Sequence, residues 1–233
     1  MAFKLDLTPT GTLTVECVEN GPVTTNTYFA ISGDEAVVID PAWDGEALAE
    51  HFAAKHPDVR IIAAIATHGH ADHIGGVWGL RAALGEDLPF LISEADVAMI
   101  EPSIKNQHES WGIDTPAPGE PARLLAEGDV IEVGDARLQV FSTPGHTPGG
   151  IILFAATTAG EFAFVGDTLF PGGHGRTDLL GGDTGAVYQS LAKLATLMPK
   201  STLCLIGHGP TTTVAAEREG NLFMRRALRH YGN

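Results

Sequence analysis

Within seven residues, Thr67-His68-Gly69-His70-Ala71-Asp72-His73, the chain places three imidazoles and a carboxylate directly after the apolar run 61–66. Histidines two positions apart on an extended segment share a face. A turn into a helix, expected from the sequence 74–80, brings Asp72 and His73 back from the other side. One short loop can thus feed two adjacent metal ions. Exposed imidazoles do not gather with a carboxylate at this density unless a cation holds them.

Three further candidates each follow an apolar, strand-like run. Residues 138–142 lead to Thr143-Pro144-Gly145-His146, residues 162–165 to Gly166-Asp167, and residues 203–206 to Gly207-His208. In α/β proteins, ligand-binding side chains collect where loops leave strand ends. The four strand-then-ligand units therefore read as one constellation. It assigns His68, His70 and His146 to one ion, Asp72, His73 and His208 to a second, and Asp167 to a bridge between them. Seven ligands around two ions leave room for solvent, the open position a catalytic metal requires.

With these residues in view, the chain resembles the metallo-β-lactamase-fold hydrolases, and within them the short, single-domain glyoxalase II-like (hydroxyacylglutathione hydrolase-like) branch. The likeness rests on Val38-Ile39-Asp40-Pro41, the 67–73 loop, residues 143–150, Gly166-Asp167-Thr168-Leu169-Phe170, Gly175-Arg176-Thr177-Asp178 and Gly207-His208-Gly209-Pro210. It implies an α/β fold, a four-layer αβ/βα sandwich with the metal site at strand ends between two sheets. It also implies one domain over 1–233, without the helical glutathione-binding domain of full-length glyoxalase II. The implied activity is metal-dependent hydrolysis of a thioester of the S-acylglutathione type, with two divalent ions, zinc first and iron or manganese accommodated by nitrogen and oxygen ligands. A bridging hydroxide, oriented by Asp72, would attack the carbonyl. A thiolate leaves without a proton, so no separate general acid is needed. Two chemistries share the motif: persulfide dioxygenation on one iron held by His68, His146 and Asp167, and lactone hydrolysis.

The net charge of −15 opposes a nucleic-acid partner, because phosphate binding needs a basic surface. The partner expected is a small-molecule thioester. No run approaches the length of a membrane span and the start lacks a signal-peptide pattern, so a cytoplasmic protein is expected. Both cysteines, Cys17 and Cys204, fall in strand-like segments and are expected to pack as small buried groups. Neither stands at a ligand position, which argues against lactamases that place a cysteine on the second metal.

The elements that must position the ligands follow from periodicity. Strands are expected over 13–19, 26–32, 36–39, 61–66, 90–92, 130–133, 137–141, 150–154, 162–165 and 203–206. Helices are expected over 44–55, from the metal loop to 84, after a Ser93 cap with Asp96 three residues on, over 184–198 with a Thr184 cap, and, as one or two helices, over 214–230. Residues 101–124, with four prolines, two glycines and Trp111 but no clear period, read as an irregular flap beside the substrate. Asp40 reads either as a partner that fixes a ligand imidazole or the loop backbone, or as a turn aspartate. Arg176 and Asp178 read as a buried loop brace. His51, His56, His108, His174 and His230 are not expected to be ligands, although His174 is near enough to wall the pocket. The four arginines after 217, against two glutamates, read as a solvated helix face or as a receiver for substrate carboxylates.

Overall fold

The computed structural model describes residues 4–232; residues 1–3 and 233, which the expectation of one domain over 1–233 includes, lie outside it. The first half begins with strands β1 (Thr14–Asn20), β2 (Thr25–Ser32) and β3 (Glu35–Ile39), then helix α1 (Gly45–Lys55) and strand β4 (Arg60–Ile65). Helices α2 (Ala71–Ile74) and α3 (Val77–Leu84), strand β5 (Phe90–Ser93), helix α4 (Val97–Trp111) and strand β6 (Arg123–Leu125) complete it. The second half holds β7 (Val130–Val133), β8 (Ala136–Ser142), β9 (Ile151–Thr157), β10 (Gly160–Gly166), helix α5 (Thr184–Leu197), β11 (Leu203–Ile206), β12 (Thr212–Thr213), α6 (Val214–Gly220) and α7 (Leu222–Tyr231).

Each half makes one six-stranded sheet, ordered β1-β2-β3-β4-β5-β6 and β12-β11-β10-β9-β8-β7. Burial follows the residue pattern. In β7 the alternation Val130-Ile131-Glu132-Val133 turns Ile131 and Val133 inward and leaves Val130 and Glu132 exposed. Every residue of β2 is buried, as befits a strand covered on both faces. Between the sheets lie Tyr28, Ile39, Ile65, Leu138, Leu153 and Phe164. Outside the first sheet, Phe29, Val38 and Phe90 meet Leu48 and Phe52 of α1 and Leu80 of α3. Outside the second, Phe141, Phe154 and Val165 meet Leu191 and Leu194 of α5 and Met224 of α7. The result is the expected αβ/βα sandwich.

The ligand-bearing loops follow β4, β8, β10 and β11. β3, β4, β5 and β6 run parallel to one another, as do β10 and β11, and β8 points the same way as β10 because each is antiparallel to β9 between them. Parallel order places successive strand ends, and the loops leaving them, along one rim.

Four local expectations need correction. The helix expected from the metal loop to residue 84 is two helices, broken at Gly75-Gly76, where the chain passes so near Ala42 and Pro41 that a side chain would strike their carbonyls. Residues 97–111, expected in part as irregular, are the helix α4, which carries Pro102 inside it. The cap of α5 is Asp183, accepting from the Ala186 N–H at 2.9 Å, not Thr184. Cys204 is buried, but Cys17, on the edge strand β1, is exposed.

Candidate metal centre

The structure brings all seven expected residues together at the rim between the sheets. His68 Nε2 and His146 Nε2 lie 3.1 and 2.9 Å from His70 Nδ1. Across from them, His208 Nε2 stands 3.3 Å from His73 Nε2 and 3.3 Å from Asp72 Oδ2. Asp167 lies between the groups: Oδ1 is 3.6 Å from His73 Nε2, and Oδ2 is 3.5 Å from His146 Nε2 and 3.7 Å from His208 Nε2. Three overlapping clusters have the geometry to hold an ion: His68–His70–His146, Asp72–His73–His208, and His68–His73–Asp167.

The outer nitrogens of the rings say which form faces inward. His146 Nδ1 lies 2.7 Å from the Arg176 carbonyl, and His208 Nδ1 3.2 Å from that of Val23. His73 Nδ1 lies 3.0 Å from Asp40 Oδ2. Thr67 donates its hydroxyl to Asp40 Oδ2 at 2.8 Å, so Thr67 Oγ1 in turn accepts from His68 Nδ1 at 3.1 Å. An acceptor on Nδ1 keeps the proton there and turns the Nε2 lone pair inward. At the first triad, three ring nitrogens then converge with at most one proton among them. Ligand nitrogens around a tetrahedral ion stand about 3.3 Å apart, close to what is found. The buried Asp167 Oδ1 accepts no hydrogen bond among the described residues. Converging lone pairs and an orphaned carboxylate oxygen suit a divalent ion at each triad.

The electrostatics differ between the triads. Burial, with His146 beside it, pushes His70 down to about 3, and burial with the neighbouring rings holds His68 well below its usual range. Both are therefore neutral, ready to bind a cation. At the second triad, burial opposes charge on His73, but Asp72, Asp40 and Asp167 outweigh it and raise the ring to about 10. Burial would raise Asp72, yet the facing His73 and His208 hold its carboxyl below the usual range. This half of the site demands positive charge.

Asp40 braces the metal loop through Thr67 and stands beside a ligand imidazole, its Oδ2 in ion-pair contact with His73 Nδ1 without hydrogen-bond geometry. It sits at φ 51°, with 1% exposure, and also accepts the Thr67 N–H at 2.7 Å. Two residues escape a reading by motif. Asp96 is fully buried and accepts from Gly69 N at 2.8 Å, Thr147 Oγ1 at 2.7 Å and Gly149 N at 2.5 Å, tying the loop of His68 and His70 to that of His146. Its only sequence signal is its place three residues after Ser93, the expected helix cap. Asn26 donates to the carbonyls of Ile206 and Gly209 at 2.8 and 2.9 Å, clamping the turn that carries His208.

The cluster opens into a cavity of about 640 Å³, whose walls include α4 residues Met99, Ser103, Gln107 and Trp111, and Leu179 and Leu180 opposite. The 101–124 segment thus reaches the site through its helical part. Arg176 and Asp178 are an exposed pair, bonded at 2.7 and 2.8 Å, and not a buried brace. The late arginines are absent from the cavity wall, as is His174, which instead packs its ring against Phe223 at 4.7 Å. His56 pairs with Glu16 and His108 with Asp114, both away from the cluster.

Such a sandwich, with histidines and aspartates at the rim between its sheets, defines a class of metal-dependent hydrolases. The chain belongs to the metallo-beta-lactamase superfamily, whose model matches residues 20–208. It is similar to the hydroxyacylglutathione hydrolase GloC of Haemophilus influenzae, 30% identical over 81% of this chain and 87% of that one. Among solved structures it resembles the BLEG-1 B3 metallo-beta-lactamase, with a TM-score of 0.80, 30% identity, and 91% and 99% of the two chains covered. It also resembles TTHA1623 in a di-iron-bound form, with a TM-score of 0.78 and 36% identity over 89% and 99%. Among the described residues no helix is long and apolar enough to cross a membrane.

Proposed function

We propose that the chain is a single-domain metallo-hydrolase of thioesters of the S-acylglutathione type. In this reading His68, His70 and His146 would hold one divalent ion, Asp72, His73 and His208 would hold the other, and Asp167 would serve both. Such a pair supplies a water acidified to a pKa of about 7 and a polarised carbonyl. The protein's own groups do the rest. Asp40 and Thr67 fix the proton on Nδ1 of His73 and His68, so that Nε2 faces the reaction. Asp72, whose Oδ2 lies near both His73 and His208, is placed to orient the attacking oxygen.

The observation that carries the thioester is the cavity wall. Outside the seven candidate ligands, its single ionisable side chain is Arg176. Among the described residues no wall carboxyl, phenol or amine outside the candidate ligands stands ready to protonate a leaving group. An amide nitrogen needs that proton, whereas a thiol with a pKa of about 8.5 leaves as the thiolate. The name of the Haemophilus relative points the same way. The di-iron form of a solved neighbour keeps zinc, iron and manganese all in view for the native metal.

The test is metal content per chain measured beside hydrolysis of S-lactoylglutathione, a lactone and a β-lactam. Two ions with thioester turnover are expected. One iron with oxygen uptake on a thiol persulfide would replace this reading with dioxygenation, and faster lactone or β-lactam turnover would replace it with those hydrolyses.

A further inference from the structure

One helix supplies a wall of the cavity, a row of polar side chains set among Met99, Pro102 and Trp111. Ser103, Asn106, Gln107 and Ser110 of α4 all line the space, and none carries a charge. The stripe starts at the metal cluster, because Ser103 Oγ accepts the N–H of Ala71, next to Asp72, at 2.9 Å. From Ser103 to Ser110 it runs seven residues, about 10 Å of helical rise, and ends beside the exposed Trp111. That length exceeds a small acyl group and leaves room along the helix for a thiol carrier on the other side of the sulfur.

Among the described residues outside the cluster, the buried side chains with an unpartnered polar atom are Thr25, Thr202 and Gln107, and of these Gln107 alone lines the cavity. Its side chain is buried, at 4% exposure, and Oε1 accepts the Thr115 hydroxyl at 2.7 Å. That bond fixes the amide plane and leaves Nε2 with no acceptor among the described residues. A buried donor without a partner destabilises the fold, and such a group in a cavity wall is accounted for by a ligand that satisfies it. The acceptor must be neutral in its surroundings. The wall's one cation outside the cluster, Arg176, already gives two hydrogen bonds to Asp178, and the chain as a whole repels anions.

We propose that Gln107 is a specificity-determining residue, donating from Nε2 to an uncharged amide carbonyl of the thiol carrier laid along α4. The inference rests on the thioester reading and deepens it: the wall reads the amide near the sulfur, and charged ends of the carrier lie outside it.

Three thiols separate the features: glutathione, N-acetylcysteamine with an amide and no charge, and ethanethiol with neither. Their S-butyl thioethers, which cannot be hydrolysed, are titrated into the metal-loaded protein, and their S-lactoyl thioesters are assayed in parallel. Both amide-bearing thioethers should bind about tenfold tighter than the ethanethiol ether, with little dependence on salt. Gln107→Leu should erase that preference. Gln107→Glu retains the shape and the acceptor for Thr115 but replaces the donor by an acceptor, so it should also lose the preference while metal content stays unchanged. Equal binding of the three ethers to the unmodified protein would overturn the proposal, as would an undiminished preference in Gln107→Glu. A glutathione advantage of tenfold over N-acetylcysteamine that fades with salt would overturn it in favour of charge recognition. Retained thioether preference without thioester turnover would uphold the Gln107 site and sink the hydrolase reading instead.

Discussion

At the scale of single residues, the proposed bridge makes the sharpest demand. Asp167→Ala removes an oxygen from both triads and leaves two cations facing each other without the charge between them. It should reduce metal content and turnover more than alanine at any one of the five histidines, read by elemental analysis beside kinetics. Gly207→Ala should approach the same result without touching a ligand, since a methyl there would overlap Asp167 Oδ1. Asp40→Asn should weaken metal binding by about 10–100-fold, the usual cost of losing an outer partner of a ligand imidazole. A chelator competition that finds affinity unchanged would reduce Asp40 to a turn residue. The seven clustered residues were legible because histidines and aspartates announce themselves by type and spacing. Asp96 and Gln107 were not, since their importance comes from what surrounds them: three converging donors in one case and a missing acceptor in the other.

At the scale of elements, periodicity found nearly every strand because apolar runs bounded by turn residues are a local signal. It failed where tertiary packing decides. Gly75-Gly76 splits a helix because another loop passes close by, and α4 persists through Pro102 although proline denies its turn a hydrogen bond. The two cysteines show the same limit. A strand-like pattern says nothing about edge or centre, and so it could not separate exposed Cys17 on β1 from Cys204 on the interior strand β11. Burial pushes the Cys204 thiol up to about 12. Because the thiolate is the reactive form, Cys204 should stay unlabelled at pH 8 in the native protein, while Cys17 reacts. A thiol reagent should therefore count one site before denaturation and two after; two rapid native sites would show that β11 opens freely.

At the scale of the whole molecule, ions bound to the folded state alone stabilise it by mass action. With free metal at a hundred times the dissociation constant, the gain is about 2.7 kcal/mol per site, which for a chain of this size is about 5–10 °C. Stripping the metal with a chelator should lower the midpoint of thermal unfolding by at least that much, and returning two equivalents should restore it. A midpoint indifferent to chelation would mean that the cluster is held entirely by its own packing.

The distribution of the candidate ligands carries that coupling further. In the proposed assignment each ion takes two side chains from the first half, His68 and His70 or Asp72 and His73, and one from the second, His146 or His208, with Asp167 also from the second. Neither half alone owns a complete coordination sphere. Toward metal the two sheets therefore behave as an obligate pair joined by a covalent tether. Were the chain severed between β6 and β7, the severed fragments should seek each other most strongly in the presence of the ion, which would then serve as the mortar of the sandwich as well as its chemical tool.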